Sequence, residues 1–261
     1  MSMQSVKRVV RNILNNTDIG SRWLWNRAND ARSPIGRPSA PWCNAVLMSK
    51  ADADAAVEQL TRLRLPAMQD HPKNWDSLAA LDLVLNKTDR NARILDAGSE
   101  TYSMILPWLT MYGYRNLRGC NLVFDKPSRM GPIRYEHGDI TATAYADATF
   151  DAVTCLSVVE HGVNMEAYFR EMARIVKPNG LLVTSTDYFE TPVETFGRRA
   201  YGVPIRIFDR AAILDALATA KRHGFELLSP IDLTSREKVV HWAQHDLSYT
   251  FVIFSMIRRP T

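Results

Sequence analysis

The stretch from Ala92 to Tyr188 constrains the fold most strongly, because short apolar runs alternate there with segments of helix length. Alternation of this kind is typical of βαβ units, in which parallel strands form one sheet with helices on both faces. The sequence therefore predicts an α/β fold, a doubly wound and mostly parallel sheet of the Rossmann-like type.

Seven strands are predicted, and the last two are expected to form an antiparallel C-terminal hairpin that closes the sheet. The apolar runs place them near residues 92–97, 116–121, 133–136, 151–156, 180–186, 225–229 and 249–257. Helices are predicted at about 102–112, 164–176 and 209–222. Asp209 is a plausible N-cap of the last helix, and Gly224 is placed to end it.

Residues 1–90 are predicted to form an N-terminal helical extension or lid, ahead of a sheet domain at 91–261. Ser49 followed by Asp52 resembles a capping box, and a second helix is expected from about Trp75 to Asn86. Residues 6–14 form an apolar stripe with basic neighbours. We favour a helix packed on the domain, and the alternative is a helix resting on an anionic membrane surface.

Composition indicates a soluble, cytoplasmic protein. The 261 residues include three widely spaced cysteines, so neither a disulfide framework nor a zinc site is indicated. No apolar run approaches the roughly 20 residues that span a bilayer, and no secretory signal is recognised. His241 and His245 beside Asp246 have helical metal-ligand spacing, but no third ligand is identifiable, so no metal site is predicted.

The turn after the first strand of the sheet is the first place to look for a ligand. In an open α/β sheet, ligands bind beyond the carboxyl ends of the strands. Gly98 lets the backbone approach a ligand closely there. A dinucleotide fingerprint needs G-x-G-x-x-G, and only Gly98 is present, which argues against a nicotinamide-dependent dehydrogenase.

Five ordered motifs resemble those of class I S-adenosylmethionine-dependent methyltransferases, in particular the small stand-alone bacterial type that is similar to the methyltransferase-11 family. The motifs are Ile94-Leu95-Asp96-Ala97-Gly98, Gly119-Cys120-Asn121-Leu122, Gly138-Asp139-Ile140, Phe150-Asp151-Ala152-Val153 through Val159-Glu160-His161, and Ala173-Arg174-Ile175-Val176-Lys177-Pro178-Asn179-Gly180. The resemblance covers residues 90–190 well and the C-terminal hairpin more loosely, and residues 1–90 lie outside it.

The resemblance implies a methyltransferase that uses S-adenosyl-L-methionine. By this resemblance, the first turn shapes the pocket for the amino-acid end of the cofactor, and Asn121 meets the ribose. Asp139 accepts from the adenine amino group, and the segment from Ser157 to His161 lines the methyl-donor side. The implied cofactor-binding residues are Asp96, Ala97, Gly98, Ser99, Asn121, Asp139, Ile140, Ser157 and Glu160.

Three positions depart from the family pattern. Glu100 and Tyr102 stand where the family usually has glycine, and Asn121 replaces a usual acid. An amide accepts a ribose hydrogen bond with less strength than a carboxylate, and Asp125 is an alternative acid if the second strand runs longer. These departures motivate the alternative hypothesis, a catalytically inactive protein that binds or acts as a scaffold.

On the acceptor side, His161 is the candidate general base for an acceptor hydroxyl, because it follows the fourth strand on the ligand side and histidine is a common general base. The alternative is that His161 caps the next helix or bonds within the rim of the sheet. Asp187, Tyr188 and Trp75 are candidate substrate-binding residues, against the alternatives of a turn aspartate, a packed tyrosine and a core tryptophan. Methyl transfer from a sulfonium requires no metal.

Positive charge is concentrated in the first 40 residues, which hold seven Lys or Arg and two acids. This charge suits an anionic acceptor. We expect a small molecule or a glycan, methylated on oxygen by SN2 transfer, and no nucleic acid, because no RNA-binding motif is present. The sequence leaves the acceptor and the oligomeric state open.

Overall fold

The structure is a computed structural model that describes residues 33–200 and 202–260. The predicted first helix at 6–14 and most of the basic N-terminal residues lie outside these ranges. The strands are β1 (Ala45–Val46), β2 (Arg93–Ala97), β3 (Asn116–Asn121), β4 (Ser128–Met130), β5 (Ile133–His137), β6 (Phe150–Leu156), β7 (Val176–Tyr188), β8 (Arg199–Ala200), β9 (Val203–Pro204), β10 (Phe225–Leu227), β11 (Val240–Trp242) and β12 (Leu247–Arg258). The helices are α1 (Lys50–Leu63), α2 (Lys73–Lys87), α3 (Ile105–Met111), α4 (Met165–Ile175) and α5 (Arg210–Arg222).

The main sheet has the order β1-β12-β7-β6-β2-β3-β5-β4, and β10 and β11 also pair with β12. Its centre is parallel, from β5 through β3, β2 and β6 to β7. Strand β12 runs antiparallel to β7 over eight residue pairs and antiparallel to β10. The predicted fold class, the seven strands and the antiparallel hairpin are confirmed. Short strands β1, β4 and β11 extend the sheet beyond the prediction, and β8 and β9 form a separate hairpin.

Local capping explains why the helices begin and end where they do. Ser49 accepts a hydrogen bond from the backbone N–H of Asp52, as the capping-box pattern predicts. Asp209 accepts from the N–H of Ala212 at 2.8 Å and starts α5. Gly224, which follows this helix, has a φ of +83°, the left-handed conformation that glycine adopts without strain.

Two apolar layers lie on the two faces of the sheet. The first packs α1, α2 and α3 against one face, and its fully buried members include Leu78, Ile94 and Trp108. The second packs α4 and α5 against the other, with Leu95 and Phe169 at 0% exposure. Because side chains alternate along a strand, consecutive residues of β2 reach opposite layers, which is the doubly wound arrangement.

The described part of residues 1–90 is joined to the sheet. β1 pairs with β12 at its edge, and α2 contacts β6, β7 and β12. The division of the chain into a region at 1–90 and a domain at 91–261 stays a prediction. Within the described ranges, every helix is too short or too polar to cross a membrane.

Candidate functional site

The turn after β2 is built around Gly98. This residue has a φ of +83°, and its N–H donates to the carbonyl oxygen of Cys120 at 2.8 Å. A Cβ atom on Gly98 would lie 2.4 Å from Cγ2 of Val158, closer than any two carbons approach without a clash. Only glycine therefore fits, and the turn after β2 rests directly on the loop after β6.

Asp96 lies inside the wall behind this turn and is 3% exposed. Its Oδ1 accepts a hydrogen bond from Thr154 Oγ1 at 2.7 Å, and interaction with the Ser99 side chain also stabilises the ionised carboxylate. Burial raises the pKa of Asp96 to about 6, against these interactions, because the charged form loses its hydration. Ala97 and Ser99 are buried as well. The predicted residues of the first turn thus form its supporting wall.

Asn121, at the end of β3, uses both ends of its amide locally. Its Nδ2 donates to the carbonyl oxygen of Gly98 at 2.8 Å, and its Oδ1 accepts from the N–H of Val123 at 3.3 Å. A carboxylate has no proton to donate to a carbonyl oxygen. The departure from the family's acid therefore has a structural reason. Because β3 ends at this residue, Asp125 lies beyond the strand, on an exposed loop.

The edge formed by β3 and β5 combines a carboxylate with exposed apolar side chains. Asp139 Oδ1 accepts from the N–H and the hydroxyl of Thr141, at 2.8 and 2.7 Å. Its Oδ2 accepts no hydrogen bond from any described residue. Leu122 is 62% exposed beside this turn, which the bond from the Gly138 N–H to the Asn121 carbonyl oxygen ties to the end of β3. Ile140 is 6% exposed and packs behind it.

The two residues that replace family glycines lie at the mouth of the first turn. The N–H of Glu100 donates to the hydroxyl of Ser103 at 3.1 Å, and partial burial raises the pKa of the Glu100 carboxyl. Tyr102 is 72% exposed. Its ring therefore stands out from the turn and does not fill the space beside Gly98.

Buried carboxylates gather beyond β6 and β7. Glu160 is 3% exposed and accepts from the hydroxyl of Thr186 at 3.0 Å. Asp187 is 4% exposed and accepts from the hydroxyl of Tyr249. Burial raises the pKa of both acids, and their mutual repulsion raises that of Asp187 further, while Lys73 acts in the opposite direction.

Sequence reasoning missed two charged residues in the first turn of α2. The Lys73 ammonium lies 2.6 Å from Oδ2 of Asp76, a fully buried carboxylate, and also bonds to the hydroxyl of Ser157. Asp76 accepts a second hydrogen bond from Ser185 Oγ at 2.5 Å. The residues of the Asp76–Ser185 bond are 109 apart in the chain, so no local pattern signals it.

His161 lies in the turn that follows Glu160, partly exposed, and its backbone N–H donates to the carbonyl oxygen of Val158 at 3.0 Å. The next helix, α4, is capped by Asn164, whose Oδ1 accepts from the N–H of Ala167 at 2.9 Å. The alternative role of His161 as the cap of this helix is therefore wrong. Its role as general base stays a prediction.

Part of the region of the chain that carries this site matches a known protein family. Residues 114–184 match the family described as "Methyltransferase domain", a segment that contains Asn121, Asp139, Glu160 and His161. Together with the fold, this match supports a class I methyltransferase domain. The match begins after Gly98, so the first turn is assigned to the domain by its place in the fold.

Curated relatives of the methyltransferase domain include two groups of enzymes. The sterol 24-C-methyltransferase erg6 of Aspergillus fumigatus is 26% identical over 116 residues, 42% of this chain and 31% of that protein. The demethylmenaquinone methyltransferase of Mycobacterium marinum is 41% identical over 64 residues, 24% of this chain and 27% of that protein. The matches thus span less than a third of each relative.

Solved structures show the same fold as the methyltransferase domain. The YcgJ protein from Bacillus subtilis superposes with a TM-score of 0.51 at 14% identity, over 71% of this chain and 99% of its own. The [4+2]-cyclase SpnF superposes with a TM-score of 0.50 at 19% identity, over 72% of this chain and 84% of its own. Identities this low concern the fold alone, and the predicted Rossmann-like class is confirmed.

Two predicted substrate residues lie in the buried core. Trp75 is 3% exposed and stacks on Trp42, with ring centroids 6.0 Å apart. Tyr188 is fully buried, and its hydroxyl donates to the carbonyl oxygen of Leu233 at 2.5 Å. Both rings are enclosed by protein, so the prediction that they bind substrate is corrected, and the role of Asp187, which is also buried, stays a prediction.

The paired histidines at the far end of the sheet do not adopt metal-ligand geometry. His241 lies in strand β11, so the helical i, i+4 spacing to His245 does not form. Its Nδ1 lies 3.0 Å from Ser248 Oγ, and the ring of His245 packs edge-on against Trp242. Across residues 33–200 and 202–260, no group of three or more His, Cys, Asp and Glu side chains is arranged to hold a metal.

Proposed function

We propose that the protein transfers a methyl group from S-adenosyl-L-methionine to an oxygen of a small-molecule or glycan acceptor. The observation that carries this proposal is the contact between Gly98 and Val158, which brings the turn after β2 onto the loop after β6. One ligand at this edge of the sheet can therefore meet Asp96–Ser99 on one side and Ser157–His161 on the other.

The side chains present fit the cofactor. Asp139 has a carboxylate oxygen available for the adenine amino group, beside the exposed apolar surface of Leu122. Asn121 keeps one Nδ2 hydrogen and a lone pair of its Oδ1 for the ribose. The amino-acid end is proposed to meet the turn after β2, where Gly98 lets a ligand approach the backbone closely. Each part of the cofactor thus has a partner of suitable chemistry.

The charge of the site suits a cation. Four buried carboxylates lie at this edge, opposed by the ammonium of Lys73. They are Asp76, Asp96, Glu160 and Asp187. A sulfonium brings a positive charge that stabilises ionised carboxylates in a weakly hydrated setting. The demethylated product has no such charge, so the same site favours the donor over the product.

The bound cofactor supplies an activated methyl group, and the protein has to orient the acceptor behind it. Orientation of this kind contributes on the order of 7–11 kcal/mol to catalysis. His161 is proposed to accept the proton of the acceptor hydroxyl as the new O–CH₃ bond forms and the S–CH₃ bond breaks. Asp187 is proposed to bind an acceptor group, since it lies close enough to Glu160 for the two carboxylates to repel each other.

The setting and the acceptor class are also proposals. We place the reaction in the cytoplasm, because Cys43, Cys120 and Cys155 are free thiols. The curated relatives are named for sterol and demethylmenaquinone acceptors, so an acceptor panel includes apolar molecules beside sugars and small phenols. Nucleic acid is not an expected partner.

The second candidate function is binding or another reaction without methyl transfer. It is favoured by the occupied amide of Asn121, which leaves fewer groups for the ribose. SpnF, a protein of this fold, is named a [4+2]-cyclase. Both hypotheses predict a ligand at the same edge of the sheet.

Calorimetric titration with S-adenosylmethionine and its demethylated product tests the site directly. We expect Asp139→Ala to lose about tenfold in affinity, which corresponds to one charge-assisted hydrogen bond. Asp215→Ala, an exposed aspartate of α5, is the matched control and should bind as the wild type does. Equal binding by the Asp139 variant would remove this residue from the site, and no binding by the wild type would overturn the proposed function.

Labelled S-adenosylmethionine separates the two candidate functions. With an acceptor from the panel, the wild type should release labelled product. His161→Ala should keep its affinity for the cofactor and lose about 10²–10⁴-fold in rate. Product formation at the wild-type rate by this variant would exclude His161 as the base, and no product from any acceptor would favour the second candidate.

A further inference from the structure

We propose that Lys73 is a positioning residue of the methyl-donor site, which holds the loop after β6 in the shape that packs against Gly98. The inference rests on the proposed function for the identity of the ligand. It assigns a role to the first turn of α2, a segment outside the motifs that identify the family.

The ammonium of Lys73 is fixed by groups from several elements. It lies 2.6 Å from Oδ2 of Asp76 in its own helix and 4.0 Å from the centroid of the Phe251 ring on β12. Its side chain is 14% exposed. A lysine held between a buried carboxylate and an aromatic face has little freedom to move, so it provides a fixed point beside the ends of the strands.

The third contact of this ammonium is the hydroxyl of Ser157, the first residue after β6. Ser157 has a φ of +53°, a left-handed conformation that costs energy for any residue with a Cβ. Its N–H also donates to the carbonyl oxygen of Ser185 at 3.0 Å. The contact with Lys73 therefore stabilises a strained backbone at the point where the strand becomes the loop.

The residue after Ser157 transmits this geometry to the donor turn. Val158 places both of its Cγ atoms within 2.5 Å of the position that a Cβ of Gly98 would occupy. Val158 therefore cannot move closer to Gly98. If the backbone of Ser157 left its left-handed conformation, the side chain of Val158 would point in another direction. Lys73 thus acts on the donor turn through Ser157 and Val158.

The charges around Lys73 keep it protonated for this role. Three carboxylates face it, and they are Asp76 on α2, Glu160 in the loop after β6, and Asp187 on β7. Burial lowers the pKa of the Lys73 ammonium, but attraction to these carboxylates outweighs burial and raises the pKa above its usual value. The hydrogen bond to Ser157 is therefore donated by a cation at neutral pH.

Two substitutions at Ser157 test the proposal without disturbing the buried Lys73–Asp76 pair. Ser157→Ala removes the hydroxyl and keeps the Cβ that resists the left-handed backbone, so we expect about tenfold weaker binding of S-adenosylhomocysteine in calorimetry. Ser157→Gly also lacks the hydroxyl but adopts a φ of +53° without strain, so it should bind S-adenosylhomocysteine at least about threefold more tightly than Ser157→Ala does.

The outcomes separate the possible roles. Wild-type affinity in Ser157→Ala would overturn the proposal, and so would equal losses in both variants, because a hydroxyl that touches the ligand directly is lost in each. In a double-mutant cycle, Lys73→Met should weaken binding by about tenfold in the wild type and by much less in Ser157→Ala. Additive losses would show that Lys73 acts by another route.

Lys87→Met, at the exposed C-terminal end of the same helix, is the matched control and should bind as wild type does. Thermal midpoints are measured for all variants, and only folded variants enter the cycle. If wild type itself binds neither S-adenosylmethionine nor its product, the proposed function fails. If wild type binds and the Ser157 variants do not differ as stated, the positioning role of Lys73 fails alone.

Discussion

Two regions of the site are built on different physical principles. The donor edge, formed by the turns after β2, β3 and β5, uses polar side chains that bond to backbone a few residues away or in the next turn, as Asn121 does to Gly98 and Asp139 does to Thr141. The junction, where the first turn of α2 meets the ends of β6, β7 and β12, buries charged groups from distant parts of the chain, such as Lys73 and Asp76.

The difference concerns what happens when one group is removed. When an exposed side chain at the donor edge is removed, water takes its place and little stability is lost. A buried ion pair is different, because its partner stays behind as an uncompensated charge. Removal of one group should therefore cost more stability at the junction than at the donor edge.

The largest expected effect is at the junction. Asp76→Ala leaves the Lys73 ammonium without its nearest carboxylate, and we expect a loss of about 3–5 kcal/mol in the free energy of unfolding. Urea unfolding followed by circular dichroism measures this loss, with Asp215→Ala as the exposed control. The double variant Lys73→Met with Asp76→Leu should recover most of the stability, and a failure to recover would mean that packing, not charge, holds the junction.

The next effect concerns Asp96, which is a buried acid within the donor edge. Its pKa of about 6 lies above the ordinary 3.8, so the folded state binds more protons between these values and stability falls as pH rises from about 4 to 6. Asp96→Asn removes this cost. We expect it to gain up to about 3 kcal/mol at pH 8 and nothing below pH 4, while its affinity for the cofactor falls.

Urea unfolding of wild type and Asp96→Asn at a series of pH values measures this difference. A stability difference that is independent of pH between 4 and 8 would contradict the raised pKa of Asp96. Greater stability together with weaker binding would show that this position is kept for the ligand at the expense of the fold.

The smallest effect is the one that most sharply tests the donor edge. Asn121→Asp restores the family's acid, but it turns a carboxylate toward the Gly98 carbonyl oxygen, 2.8 Å from the present donor. We expect about 1–3 kcal/mol lower stability and weaker, not tighter, binding of S-adenosylhomocysteine. Tighter binding would mean that the turn rearranges, and that Asn121 only binds the ribose more weakly than the family's acid does.

The sequence predicts most of the fold and the donor edge because their signals are local. Alternating apolar runs locate the strands, and single residues such as Ser49, Asp209 and Gly224 locate the helix ends. The short motifs around Gly98 and Asp139 both end at the carboxyl edge of the parallel sheet, so these two residues follow strands β2 and β5 at the same edge.

The junction is not predictable in this way. The bond between Asp76 and Ser185 depends on how α2 lies across β7, which no periodicity encodes. The two-residue strand β1 is too short to show the alternation of apolar and polar residues that identifies a strand. It forms because its backbone can pair with the edge of β12. Trp75 has the same residue type whether it covers a ligand or stacks on Trp42, and only the packed structure decides between these roles.

Strand β12 has a consequence for the order of events during biosynthesis. It pairs with β1, β7, β10 and β11, and it supplies Tyr249 and Phe251 to the junction. The ribosome makes it after every other described strand. Until then β7, thirteen residues long, has an open edge whose backbone groups can pair with another chain. A nascent chain therefore has its donor turns before it has a closed sheet, and the synthesis of β12 both protects that edge and completes the site.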